Sequence, residues 1–440
     1  MKKNAKTITL QEALDLVKSG DYIAVGMAAS EPRDFVSNLH TIATRGVKDI
    51  TVSNCLPVTP AEYYMNEKYK DIFQNDSWFF SPYQRKAFPN GNISYIPNHL
   101  HLAAWKRFQH RKPNIFIGAA SMPDKDGFIS LSLCNVLEKQ AIAVADISIL
   151  EVNPNFPRVG GDVTVHISDI DYLVESNYLP PIIPESVVGE KDKIIGESIA
   201  ELIPNGATIQ LGIGSMPDAV AASLITKKDL GLHTEMFTTG AMKLIKAGVI
   251  TGKKKTLLKG KHVACFAYGT QELYDFLNNN PTTVMLEGKY VNDPTIIGLN
   301  HKQVSINAAL EIDLIGQCAS ESIGPKQFSG TGGQSDTAIG AQNSEGGMSF
   351  IALYSTAMVT NPVTGEKEEK SKIVPTLTPG ASVSLSRNDV DRVVTEYGVV
   401  NLRGTSVRER ALLLISIAHP KFRDELRLAA RKLGYIKETD

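Results

Sequence analysis

The segment Gly231-Leu232-His233-Thr234-Glu235-Met236-Phe237 sets one carboxylate between an apolar stretch and a Thr/Gly turn. About twenty residues upstream runs a glycine-rich turn, Gly212-Ile213-Gly214-Ser215-Met216-Pro217-Asp218. A carboxylate can attack an acyl centre, and glycine lets the main chain approach a bulky ligand closely, so the pair suits covalent acyl chemistry through Glu235. A lone glutamate is more often a solvated loop acid, and further segments are needed to overturn that reading. The cluster Phe328-Ser329-Gly330-Thr331-Gly332-Gly333-Gln334-Ser335-Asp336 supplies one, because Gly332-Gly333 can turn main-chain N–H groups toward a ligand with no Cβ in the way. Its plain alternative is a tight turn. Gly346-Gly347-Met348 opens a strand and reads as a hairpin turn. Serine-hydrolase chemistry does not fit, since Gly214-Ser215-Met216 lacks the second glycine of a nucleophile elbow. His166, near Asp169 and Asp171, reads as a structural histidine at a strand end. His233 either orients the Glu235 loop or packs beside it, and His419-Pro420 looks like a helix terminus.

The elements that must position these residues follow from the pattern. The chain has 440 residues, long enough for two domains, and 42% hydrophobic residues can build sizeable cores. Lys+Arg 46 against Asp+Glu 47 gives a formal charge of -1, which argues against a nucleic-acid groove or a polybasic membrane anchor. The densest basic run, Lys253-Lys254-Lys255, reads as a solvated loop. No apolar run is long enough for a membrane span, and the basic start Met1–Lys6 lacks the apolar stretch of a signal peptide. Cys55, Cys134, Cys265 and Cys318 sit far apart in apolar contexts without metal-ligand spacing, as reduced core residues of a cytoplasmic protein would.

Helical and extended patterns alternate from the start. Leu10–Lys18 reads as an amphipathic helix, Asp21–Gly26 as a strand and Arg33–Ala43 as a helix. Ile50–Ser53, Asn114–Gly118 and Ala143–Val152 read as short strand-like runs. This predicts an α/β fold with parallel sheets, whose ligands sit at the carboxyl ends of strands. The turns at Gly26–Pro32 and Asn153–Pro157 are therefore candidate site loops. Tyr178-Leu179-Pro180-Pro181-Ile182-Ile183-Pro184 cannot be crossed by a helix and places a domain boundary between 1–183 and 184–440. Beyond it, Asp192–Leu202 reads as a helix, Ala207–Leu211 as a strand, Gly212–Asp218 as a turn and Ala219–Leu224 as the start of a helix. Such a helix N-terminus suits an oxyanion or a pyrophosphate. Asn361–Lys372 reads as a surface hairpin loop and Phe422–Leu433 as a final helix.

Several of these segments together resemble the acetyl-CoA hydrolase/transferase family, and within it the 4-hydroxybutyrate and butyryl-CoA:acetate CoA-transferases. The resemblance is carried by EVNPNFPRVGGDVTVHISDID (151–171), QLGIGSMPDAV (210–220), GLHTEMF (231–237), SINAALEIDLIGQCASESIG (305–324), KQFSGTGGQSD (326–336), SRNDVDRVVTEYGVVNLRG (386–404) and IAHPKFRDEL (417–426), in the family's order. It implies two open α/β domains of the CoA-transferase type with the active site at their interface. It also implies a catalytic Glu235, and CoA contacts on Gly212, Ile213, Gly214, Ser215, Met216, Leu310, Gly332 and Gly333. The sequence departs from the family's pattern at Ser335-Asp336-Thr337 and at the slim Val159-Gly160-Gly161-Asp162.

The activity so implied moves CoA from an acyl-CoA to a carboxylate such as acetate through a glutamyl-CoA thioester. Acyl-CoA hydrolysis is its rival within enzymes, and a catalytically idle CoA-binding protein its rival outside them. No metal or redox cofactor is expected; coenzyme A is a substrate, small carboxylates are the other partners, and a homodimer or higher homo-oligomer is expected. Met27, Ala28 and Ala29, with residues near Gly160, are expected to line the acyl pocket.

Overall fold

In the computed structural model the described residues are 5–360 and 364–440. Most of the basic start, and the first three residues of the expected 361–372 loop, lie outside them.

Two parallel sheets organise the chain. The first runs in the order Lys6–Ile8, Tyr172–Glu175, Ile147–Asn153, Ile115–Ser121, Tyr22–Val25, Ile50–Asn54, Phe73–Ser77, Ile93–Tyr95, and every neighbouring pair is parallel. The second runs Gly231–Leu232, Thr208–Leu211, Gln303–Ala308, Met348–Ala352, Arg392–Thr395, Gly398–Asn401, parallel except for the last pair. Its central strands are mostly buried, as expected of parallel strands covered on both faces. The chain leaves the first sheet at Glu175 and enters the second at Thr208, passing through the proline-rich segment.

One apolar core joins the two sheets. It runs from Ala24, Phe116 and Leu150 through Phe237 and Phe266 to Ile209, Ile306 and Phe350. Separate clusters cover the outer faces, one around Phe35, Tyr63 and Phe73 and one around Leu353, Leu414 and Ile415.

Local signals set most element ends. A capping box between Thr9 and Glu12 starts Leu10–Asp15, which stops short of the expected Lys18. Asp192 accepts from the Gly189 N–H at 2.9 Å and opens Glu190–Leu202. The expected 33–43 helix becomes an α segment at Arg33–Asn38 followed by 3-10 turns to Arg45. The turn after Thr208–Leu211 is tighter than expected, because the helix Ser215–Ser223 already contains Ser215.

Three expectations are corrected. The strand-like run at 143–152 begins inside the helix Glu138–Val144; the alanine-rich stretch follows the helix, and only Ile147–Asn153 extends. Gly346-Gly347 is no hairpin turn, because it joins the helix Gln334–Asn343 to a parallel strand. A Cβ on Gly347 would lie 2.1 Å from the Ala341 carbonyl oxygen, so the chain passes too close to the helix end for a side chain. Lys255 is not solvated: its stem packs over Gly231 and its Nζ donates to the carbonyls of Leu232 (2.8 Å) and Lys261 (3.0 Å). Burial pushes its pKa down to about 7.

Thr356–Thr360 and Lys367–Ser371 pair antiparallel. Among the described residues, no helix is long and apolar enough to cross a membrane.

Candidate active site

The carboxyl ends of strands from both sheets converge on one cavity of about 200 Å³. Its first wall follows strands of the first sheet: Met27 after Tyr22–Val25, Cys55 and Leu56 after Ile50–Asn54, and Phe79 after Phe73–Ser77, with Leu100 beyond Ile93–Tyr95. Its second wall carries Gln210 within Thr208–Leu211, Gly212 and Ile213 after it, and Asn307 and Ala308 at the end of Gln303–Ala308. Those two strands lie side by side while Gly231–Leu232 flanks the first of them, so the order reverses there, as at other ligand crevices of open α/β sheets. Glu235 and the glycine loop Gly330–Gln334 close the space between the walls.

Glu235 is half-buried, open to the cavity and packed on its other sides. The Asn292 amide donates to its Oε2 at 2.7 Å, and the Gly333 N–H donates to the same carboxylate. Burial raises its pKa to about 7, Asp336 adds like-charge repulsion, and the two donors hold it back from rising further. The carboxylate lies at the N-terminus of the helix Gln334–Asn343, where free N–H groups favour negative charge. At neutral pH it is therefore present in substantial part as an anion with few donors, which suits a nucleophile.

Gly333 is glycine for a definite reason. A Cβ there would lie 1.8 Å from Glu235 Oε2 and 2.2 Å from Asn292 Nδ2. Gly330 is as crowded, its Cβ position lying 2.3 Å from the Trp78 carbonyl oxygen. The loop is tied to the first sheet's side throughout. Phe80 N–H donates to Ser329 O at 3.1 Å, Arg85 to Phe328 O at 2.8 Å and Leu100 N–H to Gly332 O at 3.1 Å. Thr331 donates its N–H to the Tyr95 hydroxyl and its own hydroxyl to Glu321. Asp336 is buried and accepts from the His101 backbone N–H (3.1 Å) and from His101 Nδ1 (2.8 Å).

A second relay sets Asn292. His233 is buried, and burial lowers its pKa to about 4, so it is neutral. Its Nε2 donates to Val291 O at 2.8 Å, which fixes the segment leading to Glu235 against the segment bearing Asn292. Cys265 donates from Sγ to the Glu235 carbonyl at 3.2 Å, and burial pushes its thiol pKa up. All four cysteines are buried and free. His166 ends its strand, with Nδ1 2.9 Å from Ser168 Oγ.

Of the residues singled out in the sequence, the structure brings Met27, Gly212, Ile213, Glu235, Gly332 and Gly333 to the cavity. Gly214, held at φ +112°, lines a neighbouring cleft that shares Ile213. Ser215 and Met216 lie off the cavity: the Ser215 hydroxyl donates to Asp192 at 3.1 Å, and Met216 packs against the core. Leu310 also lies off it, its N–H donating to Ala319 O at 2.9 Å. Ala28 and Ala29 do not line this cavity; both are buried at a turn where Ala28 has φ 48°. Gly160 does not line it either; its carbonyl accepts from the Met285 N–H at 2.9 Å. Sequence reasoning missed Asn292, Cys55, Leu56, Phe79, Leu100, Gln210, Asn307 and the Asp336–His101 contact. The one signal for any of them was that Asn292 precedes an Asp-Pro helix start.

Fold and site define a two-sheet α/β protein that presents a glutamate carboxylate between the carboxyl ends of both sheets. The comparisons with known proteins give that class its name. Residues 2–184 match the acetyl-CoA hydrolase/transferase N-terminal domain and residues 269–430 the C-terminal domain. The 4-hydroxybutyrate coenzyme A transferase of Clostridium kluyveri is 42% identical over 96% of each chain. The succinyl-CoA:cyclohexane-1-carboxylate CoA transferase of Geobacter metallireducens is 40% identical over 97% of this chain and 95% of that protein. The crystal structure of RipA from Yersinia pestis superposes with a TM-score of 0.91 at 36% identity, covering 98% of each chain. The chain belongs to the acetyl-CoA hydrolase/transferase family.

Proposed function

We propose that this protein is a CoA-transferase that moves CoA from a short-chain acyl-CoA to an acceptor carboxylate such as acetate, with Glu235 as the nucleophile. The observation that carries the reading is the Glu235 carboxylate in the cavity, its pKa raised by burial and its oxygen held by Asn292 and the Gly333 N–H. The hydrolases among the relatives are more distant, at 24% identity.

The reaction runs by double displacement. A Glu235 oxygen attacks the thioester carbonyl, the C–S bond breaks, and CoA leaves as thiolate, giving a mixed anhydride. The thiolate attacks the Glu235 carbonyl carbon, the anhydride C–O bond breaks, and the first carboxylate leaves. The acceptor carboxylate then repeats the two steps in reverse on the glutamyl-CoA thioester. The donors that hold the Glu235 carboxylate in the resting protein face the same oxygen once it is a carbonyl, so Asn292 and Gly333 serve as oxyanion donors for the second attack. The apolar first wall keeps water from the anhydride and thioester, and this favours transfer over hydrolysis. Gly212, Ile213, Gly214 and Gly332 are proposed to approach the CoA arm, which makes the thiolate attack a local event. Ser215, Met216 and Leu310 belong to this proposal only where the arm extends past the cavity. The proposal also includes division into 1–183 and 184–440, a homo-oligomeric state, a cytoplasmic location and no cofactor beyond CoA as substrate.

The test is trapping. Incubation with acyl-CoA and no acceptor, followed by borohydride, converts a glutamyl thioester to an alcohol, and peptide mass locates it. Label on Glu235 supports the reading. Label on another acid, such as Glu321, overturns it.

A further inference from the structure

We infer that Lys255 is a positioning residue for Glu235: its side-chain nitrogen clamps the Gly231–Leu232 strand to the start of the His262–Ala264 strand and so fixes where the main chain of the nucleophile stands. This rests on the CoA-transferase reading and deepens it.

Gly231–Leu232 is an edge strand of the second sheet, paired on one side with Thr208–Leu211. The His262–Ala264 strand belongs to a separate two-stranded sheet with Thr283–Met285. An isolated bridge between His233 and Val263 joins the two sheets. Just before that bridge, the carbonyls of Leu232 and Lys261 both accept from Lys255 Nζ, at 2.8 and 3.0 Å. Two acceptors cannot pair with each other. An ammonium carries three N–H groups free of backbone geometry, so one lysine serves both.

The surroundings are built for that lysine. A Cβ on Gly231 would lie 2.3 Å from Lys255 Cγ and 3.0 Å from its Cδ, so the stem runs where a side chain would otherwise stand. Lys255 is buried, and burial lowers its pKa to about 7 with no carboxylate among the groups that act on it. The titratable groups beside it are His233 and His262. Both are neutral, with pKa values lowered to about 4 by burial first and by the Lys255 charge second. Burying an ammonium without a counter-charge is costly, and the two carbonyls are what it gains there. The neutral amine still has two N–H groups for two carbonyls, so the clamp survives titration of the lysine.

The clamp acts directly on the nucleophile's segment. Beyond it, Thr234 N–H donates to Val263 O at 3.0 Å, and Glu235 O accepts from the Cys265 and Phe266 N–H groups at 3.0 and 3.2 Å. The main chain of Glu235 therefore hangs on the strand whose start Lys255 ties to Leu232. The register matters because Glu235 Oε2 meets Asn292 Nδ2 at 2.7 Å and the same carboxylate accepts from the Gly333 N–H. A misplacement of about 1 Å at a reacting group costs on the order of 100-fold in rate. The Lys255 contacts involve none of Gly212, Ile213, Gly214 and Gly332, so loosening the clamp should leave binding of the CoA arm in place.

The experiment uses the purified full chain with butyryl-CoA as donor and acetate as acceptor. Lys255→Met keeps an apolar stem and removes the donors. In folded protein it should lower kcat by about 10–100-fold while KM for butyryl-CoA stays within about threefold. The acid limb of kcat/KM should move to higher pH, because Glu235 drifts from the two donors that hold its pKa down. Gly231→Ala, whose methyl displaces the lysine stem, should show the same split. Adding Gly231→Ala to Lys255→Ala should cost little more than Lys255→Ala alone, since the stem it would strike is gone. A folded Lys255→Met with wild-type kcat and an unmoved limb, or a loss confined to KM, overturns this inference and leaves the CoA-transferase reading standing. Additive losses in the double variant overturn it as well. Should Lys255→Met not fold, Gly231→Ala is read by the same split and the same criterion. Absence of exchange and of any Glu235 label in the wild type overturns both readings.

Discussion

Glu235 and Glu151 are both carboxylates removed from bulk water, and in both burial raises the pKa, to about 7 and about 8. Their surroundings differ in one respect that matters. Glu151 is sealed: it accepts from the Asp34 and Phe35 N–H groups at the start of the helix Arg33–Asn38 and from the Tyr178 hydroxyl at 2.9 Å. Three donors hold its two oxygens, and it does not line the cavity that holds Glu235. Glu235 has a donor on Asn292 and another on Gly333, and the rest of its carboxylate faces open space. A raised pKa therefore marks burial in both places, and the cavity separates a reactive group from a cap.

The largest test of that contrast is to remove one oxygen from each. Glu235→Gln should lower kcat/KM for CoA exchange by at least about 10,000-fold, because an amide cannot form the anhydride. Glu151→Gln should leave exchange per folded molecule within about threefold and lower stability by about 1–3 kcal/mol, since an amide NH₂ would face N–H donors. Glu235→Gln should also change stability against pH. Glu235 has a folded pKa of about 7 against an ordinary 4.5. Between those values the folded protein holds a proton that the unfolded chain has lost, so this contribution to stability declines as pH rises from about 4.5 through 7. Glu235→Gln removes the penalty, so thermal stability of the variant should exceed the wild type above pH 7, by on the order of 3 kcal/mol at most, and match it near pH 4. Equal exchange loss in both variants would erase the distinction.

Next in size is Gly333→Ala. The new Cβ would meet Glu235 Oε2 at 1.8 Å, so the carboxylate or the loop must move. A misplacement of about 1 Å costs on the order of 100-fold in rate, and the fold should survive because the change is local. Circular dichroism and exchange kinetics together check it. Retained activity would mean that the loop is only a turn.

How much of this was legible in the sequence follows the range of each contact. Alternating helix and strand patterns are local, so the parallel sheets and most element centres could be read directly. Glu235 and the glycine loop carry their own type signals. Asn292 does not, because its contact with Glu235 spans 57 residues and the Asp-Pro helix start that follows it says nothing of that partner. The burial of Ala28 and Ala29 was not legible, because it goes with a left-handed turn at Ala28 and alanine gives no warning of positive φ. Lys255 looked solvated as part of a basic run; only packing over a glycine strand and two carbonyl acceptors buries it. Gly333 was legible as a place of close approach, though the group that approaches is Glu235 itself.

A smaller effect is expected from Asn292→Ala. It takes one donor from Glu235, so the carboxylate pKa should rise and the acid limb of kcat/KM should move to higher pH. The lost oxyanion donor should lower kcat by about 10–100-fold with KM little changed. A fall in activity with an unmoved pH limb would point to a packing role.

The smallest and most selective test is Asp336→Asn. Asp336 raises the Glu235 pKa through repulsion, whereas Asn292 lowers it through a hydrogen bond, so the two variants should move the acid limb in opposite directions. The asparagine still offers an oxygen to the His101 backbone N–H, which keeps the Leu100–Gly332 contact in place. Removing the negative charge should therefore shift the limb to lower pH with the maximal rate within a few-fold of wild type. At pH 6, below the wild-type limb, the variant should be the faster enzyme. Glu151 offers an internal control, because neither substitution touches its donors and the part of the stability profile it sets should stay fixed. If Asp336→Asn left the pH limb unmoved, charge from the glycine-loop helix would not reach the nucleophile, and Glu235 would owe its raised pKa to burial alone, as Glu151 chiefly does.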